Sequence, residues 1–401
     1  MSIVAGTSTI DTQARTADAV VRTPRIQSID IIRGVIMVLM AIDHVRVYAG
    51  IPAGGPTPGV FFTRWVTHFC APGFVFFAGT AAYLHGRKLG DAAALGRYLL
   101  VRGLLLVLLE MTLIRFSWTF NFAYREFTLA GVIWMLGWCM VLLAGLVRLP
   151  AAIVGIAGVA IVGLQQLFGF LPTLLPANMR EAFAPVWAFI YPAGVETPFG
   201  VSVLYVLVPW IGVMMAGYGF GAIVTMDTAA RKRLCIRIGL VCTALFVVVG
   251  SVFALRSPNA QADGETMPFL LRLLNQQKYP ASQLFLLMTL GPTIALLPLA
   301  ERARGSIAAA LATVGRVPLF YYLLHIPLIH VSALLVNVVR TGAAHADWYT
   351  TAPFTWLPPE QRWSLGLLYI VFAVNVTVLY LACRWFAGVK ARRPGGWLRY
   401  L

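Results

Sequence analysis

The sequence contains few charged residues. Asp, Glu, Lys and Arg make up 11% of its 401 residues, whereas a soluble domain carries about 25%. The mean hydropathy is +0.80. Such a chain cannot bury its apolar side chains in one globular core, and it therefore needs lipid as a solvent. The composition excludes an ordinary soluble enzyme and predicts an integral membrane protein.

Acidic residues are the scarcest charged group, at 15 against 31 Lys and Arg, which gives a formal net charge of +16. An excess of positive charge is one mark of proteins that bind nucleic acid. Here the positive residues lie mainly in short connections between apolar runs, where they help to orient a membrane protein. We therefore predict no nucleic-acid partner, and we expect the lipid bilayer to surround the chain.

Cysteine and metal-binding motifs are also sparse. The five cysteines are an odd number and contain no C-x-x-C pair, which argues against a disulfide framework and a zinc ribbon. The histidines show neither H-x-x-x-H nor H-E-x-x-H spacing, so no metal site is predicted. The sequence also lacks the internal repeat that marks many transporters.

Long apolar runs are abundant. Ten of them hold about 20 residues each, the length that a helix needs to cross a hydrocarbon core of about 30 Å. The predicted fold class is all-α, a polytopic membrane helical bundle of about ten transmembrane helices. We expect one membrane-embedded domain over 25–390, between a flexible tail at 1–24 and a basic tail at 391–401. The predicted spans are 27–48, 64–85, 97–116, 127–147, 151–170, 200–223, 236–255, 281–300, 315–338 and 364–387.

The orientation follows from the Lys and Arg residues in alternate connections. Connections on the side of the N-terminus hold nearly twice as many as those on the opposite side. Positive residues are enriched in cytoplasmic connections. Both termini, and therefore both tails, are predicted to lie in the cytoplasm.

Ionisable residues within an apolar span are costly, and each is a candidate functional residue. In the first span, Asp30, Arg33 and His44 stand at helical spacing with Met37 and Met40 between them, so all five share one face. About 16 Å of helix separates Arg33 from His44. We expect Arg33 near the cytoplasmic end and His44 near the outer end. Structural pairing of Asp30 with Arg33 is the alternative to a function.

Other spans carry ionisable residues in the predicted outer half of the membrane. His68 lies just before an Ala-Pro-Gly break, which would open the helix backbone. Glu110 needs a cationic or protonated partner, and we expect it on another helix, with a histidine as one candidate. His325 and His330 are splayed by about 140° on an ideal helix, although Pro327 between them can bend it.

Four histidines on three spans thus fall at similar predicted depth. Such a cluster fits a proton-transfer site, a metal site or a polar packing cluster. The spacing disfavours a metal, and acid/base chemistry is favoured because nearby carboxylates can orient or tune an imidazole. The candidate catalytic residues are His44, Asp43, His68, His325, His330 and Glu110.

Four stretches carry a resemblance to a known family. They are RIQSIDIIRGVIMVLMAIDHVRVYAG, FFTRWVTHFCAPGFVFFAGTAAYL, KYPASQLFLLMTLGP and GRVPLFYYLLHIPLIH. Through them the chain resembles the bacterial DUF1624 family, which is related to the catalytic domain of heparan-alpha-glucosaminide N-acetyltransferase. It resembles more remotely the membrane acyltransferases that modify bacterial surface glycans. Those often carry an Arg-Gly step and a histidine on the first span, as Arg33, Gly34 and His44 do here.

The resemblance implies a transmembrane acyltransferase of the bacterial inner membrane. Such an enzyme moves an acetyl group from cytoplasmic acetyl-CoA to a sugar or glycan acceptor on the far side. Under this interpretation Arg33, Asp30 and Arg102 bind the coenzyme, and a histidine, His44 first, acts as a general base or carries the acetyl group. The animal enzyme has its catalytic histidine in the loop after the first span. The corresponding stretch here, PAGGPTPGVFF, has none, so that role is not carried over directly.

Two other classes of function stay open. A proton-coupled transporter of a small solute would use the intramembrane His, Asp and Glu side chains as a relay. A scaffold protein would use none of them. Recognition of acetyl-CoA separates the acyltransferase from both, and proton-coupled flux separates the transporter from the scaffold. A homo-oligomer also stays open.

Overall fold

The computed structural model describes residues 26–53, 57–192, 195–196, 200–256 and 267–392. Most of the described residues are helical, which confirms an all-α membrane bundle. The predicted tail at 1–24 lies outside the described residues, as does the tail at 391–401 beyond its first two residues, which end the last helix.

The α-helices are α1 (Gln27–Tyr48), α2 (Pro58–Trp65), α3 (Cys70–Leu89), α4 (Ala92–Leu109), α5 (Arg115–Thr119), α6 (Val132–Leu146), α7 (Ala151–Gly163), α8 (Leu167–Phe170), α9 (Ala177–Trp187), α10 (Leu207–Val224), α11 (Thr228–Arg256), α12 (Phe269–Leu274), α13 (Gln283–Ala295), α14 (Leu297–Arg302), α15 (Ser306–Arg316), α16 (Pro318–Thr341) and α17 (Leu365–Arg392). Short 3₁₀ turns lie at Val66–Phe69, Leu171–Leu174, Ala346–Tyr349 and Pro359–Gln361, and a π-helical turn lies at Glu110–Ile114.

A small sheet interrupts the helical pattern. Its strands are β1 (Thr128–Ala130), β2 (Val195–Glu196) and β3 (Val201–Val203), in the order β1-β3-β2. The β1 and β3 strands pair in parallel, and β2 pairs with β3 in antiparallel fashion. The sheet joins two connections that are far apart in the chain, which the apolar pattern of the spans did not predict.

Among the described residues, six helical segments are long and apolar enough to cross a membrane, or seven with one bent pair. Each predicted span coincides at least in part with a helix, but several of these helices are too short or too charged to meet that criterion. The chain is thus a multi-pass membrane protein, while the count of ten spans and the orientation stay predictions. The six segments are Pro58–Leu89, Leu207–Val224, Thr228–Arg256, Gln283–Arg302, Pro318–Thr341 and Leu365–Arg392, and the bent pair is Ala151–Gly163 with Leu167–Leu174.

Helix α1 lies at the centre of the bundle, where it packs against α15, α16, α3 and α17. Its approach to α15 is too close for a side chain at two positions. A Cβ atom on Gly34 would lie 2.0 Å from the carbonyl oxygen of Leu311, and one on Gly315 would lie 1.8 Å from that of Asp30. These glycines hold α1 tightly against its neighbour, so the polar residues of α1 have fixed surroundings.

Candidate functional site

Two cavities lie at the two ends of α1. The arginine cavity, near the N-terminal end, has a volume of about 390 Å³ and is lined by Arg33 and Met37 among others. The histidine cavity, near the C-terminal end, has a volume of about 470 Å³ and is lined by Asp43 and His44 among others. Tyr322 of α16 lines both. The cavities therefore meet at this side chain, and α1 runs from one to the other.

At the histidine cavity, His44 contacts a second predicted catalytic residue, His325, which does not itself line the cavity. Nδ1 of His44 lies 2.5 Å from Nε2 of His325, although the two residues are 281 positions apart in the chain. Nδ1 of His325 lies 2.5 Å from the backbone carbonyl oxygen of Tyr322. The ring of Trp118 meets His44 edge to face, with centroids 4.8 Å apart. The two histidines thus form a chain of hydrogen bonds that ends on a fixed backbone carbonyl.

This chain determines which nitrogens carry protons. A carbonyl oxygen only accepts, so Nδ1 of His325 donates its proton to Tyr322. In the neutral ring Nε2 of His325 is then an acceptor, and it takes the Nδ1 proton of His44. Nε2 of His44 is left with a free lone pair. It has no hydrogen-bond partner among the described residues, and His44 lines the cavity. His44 is therefore arranged as a base.

Asp43 makes no hydrogen bond to the imidazole of His44 among the described residues, so of the two expected roles, orienting or tuning that ring, only tuning through its charge is left. Its Oδ1 accepts from Nε of Arg46 at 3.0 Å and lies 3.0 Å from the second terminal nitrogen of the same guanidinium. Arg46 also donates to the carbonyl oxygen of Ile51 at 2.6 Å. Asp43 and Arg46 are three residues apart on one helix face, where such pairs form readily. The pair lines the cavity and fixes the end of α1.

Glu110 lines the histidine cavity, but its partner is not a histidine. Its Oε2 accepts from the backbone N–H groups of Ile133 and Trp134, at 3.0 and 3.2 Å. These amides lie in the first turn of α6, where a carboxylate satisfies otherwise unpaired donors and the helix dipole. A Cβ atom on Gly131 would lie 2.5 Å from Oε1 of Glu110. The carboxylate therefore caps the N-terminus of α6, which forms part of the cavity wall.

The sequence prediction missed a buried lysine. Lys278 lines the histidine cavity, is 9% exposed and lies in the connection before α13. Its Nζ lies 5.2 Å from the ring centroid of Tyr279. Burial alone would lower the pKa of Lys278, but Tyr279 and the carboxylate of Asp43 outweigh it, so the pKa lies above its ordinary value. In the sequence, Lys278 belongs to the run KYP directly before the predicted span 281–300. A lysine in a connection between spans gives no indication of burial.

None of the other three predicted histidines, His68, His325 and His330, is among the residues that line the histidine cavity. His330 is on α16 but faces Ser117, whose carbonyl oxygen is 3.2 Å from its Nδ1, and it stacks on Phe120 with centroids 3.9 Å apart. The rotation of about 140° between His325 and His330 explains their separate partners. Both residues lie on one continuous helix despite Pro327.

His68 is buried, and neither of its ring nitrogens has a hydrogen-bond partner among the described residues. Its ring meets Phe285 edge to face, at 5.3 Å between centroids. The expected helix break lies before the Ala-Pro-Gly sequence, in the 3₁₀ turn Val66–Phe69 that holds His68 itself. Pro72 sits in the first turn of α3, where a missing N–H is tolerated. The backbone therefore does not open after His68.

The arginine cavity brings together the predicted coenzyme ligands Arg33 and Arg102. Arg33 donates to the carbonyl oxygen of Phe77 at 2.6 Å, and Arg102 donates to the hydroxyl of Tyr98 at 3.3 Å. Over the described ranges the lining contains no carboxylate. Three further cations and one histidine of the lining, which the sequence prediction did not select, are Lys88, Arg316, Lys390 and His85.

Asp30 does not line the arginine cavity, contrary to its predicted role in binding the coenzyme. It is buried, and its Oδ2 lies 4.0 Å from Nε of Arg316. Arg316 does line the cavity, so Asp30 contacts the lining through this neighbour.

No group of three or more His, Cys, Asp or Glu side chains that could hold a metal ion occurs in the part of the chain that the structure describes. No curated protein matches the chain. The family model described as the catalytic region of heparan-alpha-glucosaminide N-acetyltransferase matches residues 25–254, more than half of the chain. That match includes α1, Glu110 and most of the arginine cavity, and the chain belongs to this family.

Proposed function

We propose that the protein is a membrane acetyltransferase that takes the acetyl group of acetyl-CoA in the arginine cavity and transfers it to a sugar or glycan in the histidine cavity. The observation that carries the proposal is the pair of cavities that meet at Tyr322. One is lined by cations and the other holds a histidine base. The family name adds an aminosugar of the glucosaminide type as the first acceptor to test.

The arginine cavity suits the anionic part of a coenzyme A. Arg33, Arg102 and Arg316 supply planar donors that match phosphate oxygens, and Lys88 and Lys390 add positive charge. The pantetheine arm would extend along α1 past Tyr322. The distance between Arg33 and His44, about 16 Å of helix, is comparable to the reach of that arm, which brings the thioester beside His44.

The transfer then needs one base. Nε2 of His44 takes the proton from the amine or hydroxyl of the acceptor as that atom attacks the thioester carbonyl carbon. The new bond forms, the carbon–sulfur bond breaks, and the thiolate of coenzyme A takes the proton from Nε2. During the step His325 stabilises the cationic imidazole by accepting the Nδ1 proton of His44 in a hydrogen bond. No acetylated histidine is required, and acid-quench mass spectrometry would find no acetyl group on His44.

The orientation completes the proposal. With both termini in the cytoplasm of a bacterial cell, the arginine cavity faces the cytoplasm, where acetyl-CoA is made. The histidine cavity then faces the outer side of the inner membrane. Cysteine labelling from each side tests this, with Lys88→Cys for the arginine cavity and Arg362→Cys for the histidine cavity in a cysteine-free background.

The first experiment measures thermal stability of the detergent-purified protein with acetyl-CoA, and with desulfo-coenzyme A as a second ligand. A ligand that binds only the folded state at about a hundredfold excess over its Kd stabilises it by about 2.7 kcal/mol. The proposal expects a shift with both ligands, and release of free thiol with acetyl-CoA and an aminosugar. An absent shift at millimolar ligand, combined with proton-coupled solute flux in liposomes, would favour the transporter hypothesis instead.

A further inference from the structure

The histidine cavity carries more positive charge than the transfer of an acetyl group requires. Four cationic side chains line it, and two carboxylates, those of Asp43 and Glu110, accompany them. Asp43 is paired with the nearest of the cations, and Glu110 accepts from two backbone amides. The four cationic residues are Arg46, Arg64, Lys278 and Arg362.

Three of these cations have no carboxylate within 4.0 Å in the part of the chain that the structure describes, namely Arg64, Lys278 and Arg362. Arg362 is exposed and Arg64 is half-buried, so water screens their charges. Lys278 is buried. A buried ammonium loses hydration, and proteins compensate this loss with a counterion or with hydrogen bonds. Here Tyr279, through its ring and a hydrogen bond, and the charge of Asp43 provide that compensation, while no carboxylate of the described residues contacts the ammonium directly.

We propose that the acceptor carries an oxyanion group, a phosphate or a carboxylate, that binds Lys278 in the histidine cavity with Arg64 at its entrance. This inference rests on the proposed function and adds the chemical class of the acceptor. The volume of about 470 Å³ accommodates a monosaccharide that bears such a group. His44 lines the same cavity, so a sugar held by its oxyanion presents an amine or hydroxyl to Nε2.

A neutral sugar explains the cavity less well. It would leave Lys278 and Arg64 facing the same space without an added negative charge, and the charge of Arg64 acts to lower the pKa of Lys278. Hydroxyl groups of a sugar are recognised by amide and carboxylate side chains as readily as by cations. A bound oxyanion removes the repulsion between the two cations and completes the hydrogen bonding of the ammonium.

The test compares three acceptors that differ in one group: glucosamine, glucosamine 6-phosphate and 2-amino-2-deoxyglucuronic acid. Thiol release from acetyl-CoA gives kcat and KM for each, in wild-type protein and in Lys278→Met, Lys278→Arg and Lys232→Met. Lys232 lies on α11 and lines neither cavity, so Lys232→Met removes the same charge elsewhere. Stabilisation by acetyl-CoA reports on folding and on the arginine cavity in every variant.

We expect a lower KM for at least one anionic acceptor than for glucosamine. In Lys278→Met the KM of that acceptor rises about 10- to 100-fold, the usual effect of a lost hydrogen bond to a charged group. The KM of glucosamine, the acetyl-CoA shift and the Lys232→Met control change little. Lys278→Arg recovers part of the loss. The phosphate and carboxylate arms show which oxyanion the cavity prefers.

The results that would contradict the oxyanion differ from those that would contradict the proposed function. If transfer occurs with the same KM for all three acceptors, and that KM is unchanged in Lys278→Met, the proposal of an oxyanion on the acceptor is contradicted. The proposal of acetyltransferase activity is then still supported. Absence of transfer and of an acetyl-CoA shift contradicts the proposed function. In that case thermal stabilisation by glucosamine 6-phosphate, present in wild type and lost in Lys278→Met, still supports an oxyanion site, and equal stabilisation in both removes it.

Discussion

The two cavities at the ends of α1 differ in how their charges are balanced. The arginine cavity is lined by five Lys or Arg residues with no carboxylate among its described lining, and its remaining wall is mostly apolar. The histidine cavity has four cations, two carboxylates, a histidine and three tyrosines. A cation-lined cavity of the first kind binds an anion through charge alone. The second kind holds groups in fixed pairs, as a site of proton transfer needs.

The difference indicates which cavity depends on exact side-chain positions. In the arginine cavity several long side chains contribute positive charge, and Lys88 and Arg316 are exposed. In the histidine cavity the histidine and both carboxylates have defined partners: His44 with His325, Asp43 with Arg46, and Glu110 with α6. Substitutions should therefore change affinity in the first cavity and turnover in the second.

Removal of the base gives the largest expected effect. In His44→Ala we expect kcat to fall by about 100- to 10,000-fold, the range for a general base, while acetyl-CoA still stabilises the protein. His330→Ala is the control, because His330 is buried and packed but lines neither cavity. His330→Ala should lower the melting temperature and leave kcat near the wild-type value. Full turnover in His44→Ala would contradict the assigned role.

Loss of one arginine in the other cavity should affect binding alone. In Arg102→Ala we expect the Kd for acetyl-CoA to rise about 10- to 100-fold, since a charge-assisted hydrogen bond is lost. The kcat at saturating acetyl-CoA should stay near the wild-type value. Calorimetry and initial rates measure the two quantities. Arg97→Ala, an exposed position on the same helix that lines neither cavity, serves as the control.

Removal of the second histidine tests how the base is oriented. In His325→Ala the Nδ1 proton of His44 loses its acceptor, and we expect kcat to fall about tenfold, equivalent to one buried hydrogen bond. The pH profile of kcat should shift as well. Tyr322→Phe keeps the backbone carbonyl that fixes His325, so its pH profile should stay unchanged. An identical shift in both variants would show that the phenol of Tyr322, and not the histidine pair, controls the base.

The smallest expected effect concerns the wall between the cavities. In Gly131→Ala the new Cβ would lie 2.5 Å from Oε1 of Glu110, so the carboxylate must move from the start of α6. We expect a loss of about 1–3 kcal/mol in the free energy of unfolding, measured by thermal or denaturant unfolding. In Gly145→Ala, inside α6, the new Cβ meets no atom within 4 Å, and this variant should show no loss. Equal free energies of unfolding in both variants would contradict the role of Glu110 in capping α6.

The sequence located the residues of each cavity better than their partners. Arg33 and Arg102 line the arginine cavity and His44 lines the histidine cavity, and the roles assigned to them stay predictions. For Asp43 and Glu110 the sequence suggested a histidine as partner, whereas Asp43 binds an arginine on its own helix and Glu110 binds backbone amides of another helix. The pattern of side chains in a sequence does not show which backbone amides a carboxylate will bind.

The sequence by itself determined that the chain is an apolar, helical membrane protein, because composition and the length of apolar runs report directly on the solvent. It also indicated several ionisable residues within the apolar runs, although it missed the buried Lys278. Only the tertiary structure decided that His44 meets His325 and not His68 or His330, and that Lys278 is buried in the same cavity. These contacts join residues hundreds of positions apart, and helix rotation and the close packing of α1 select them, which no local pattern records.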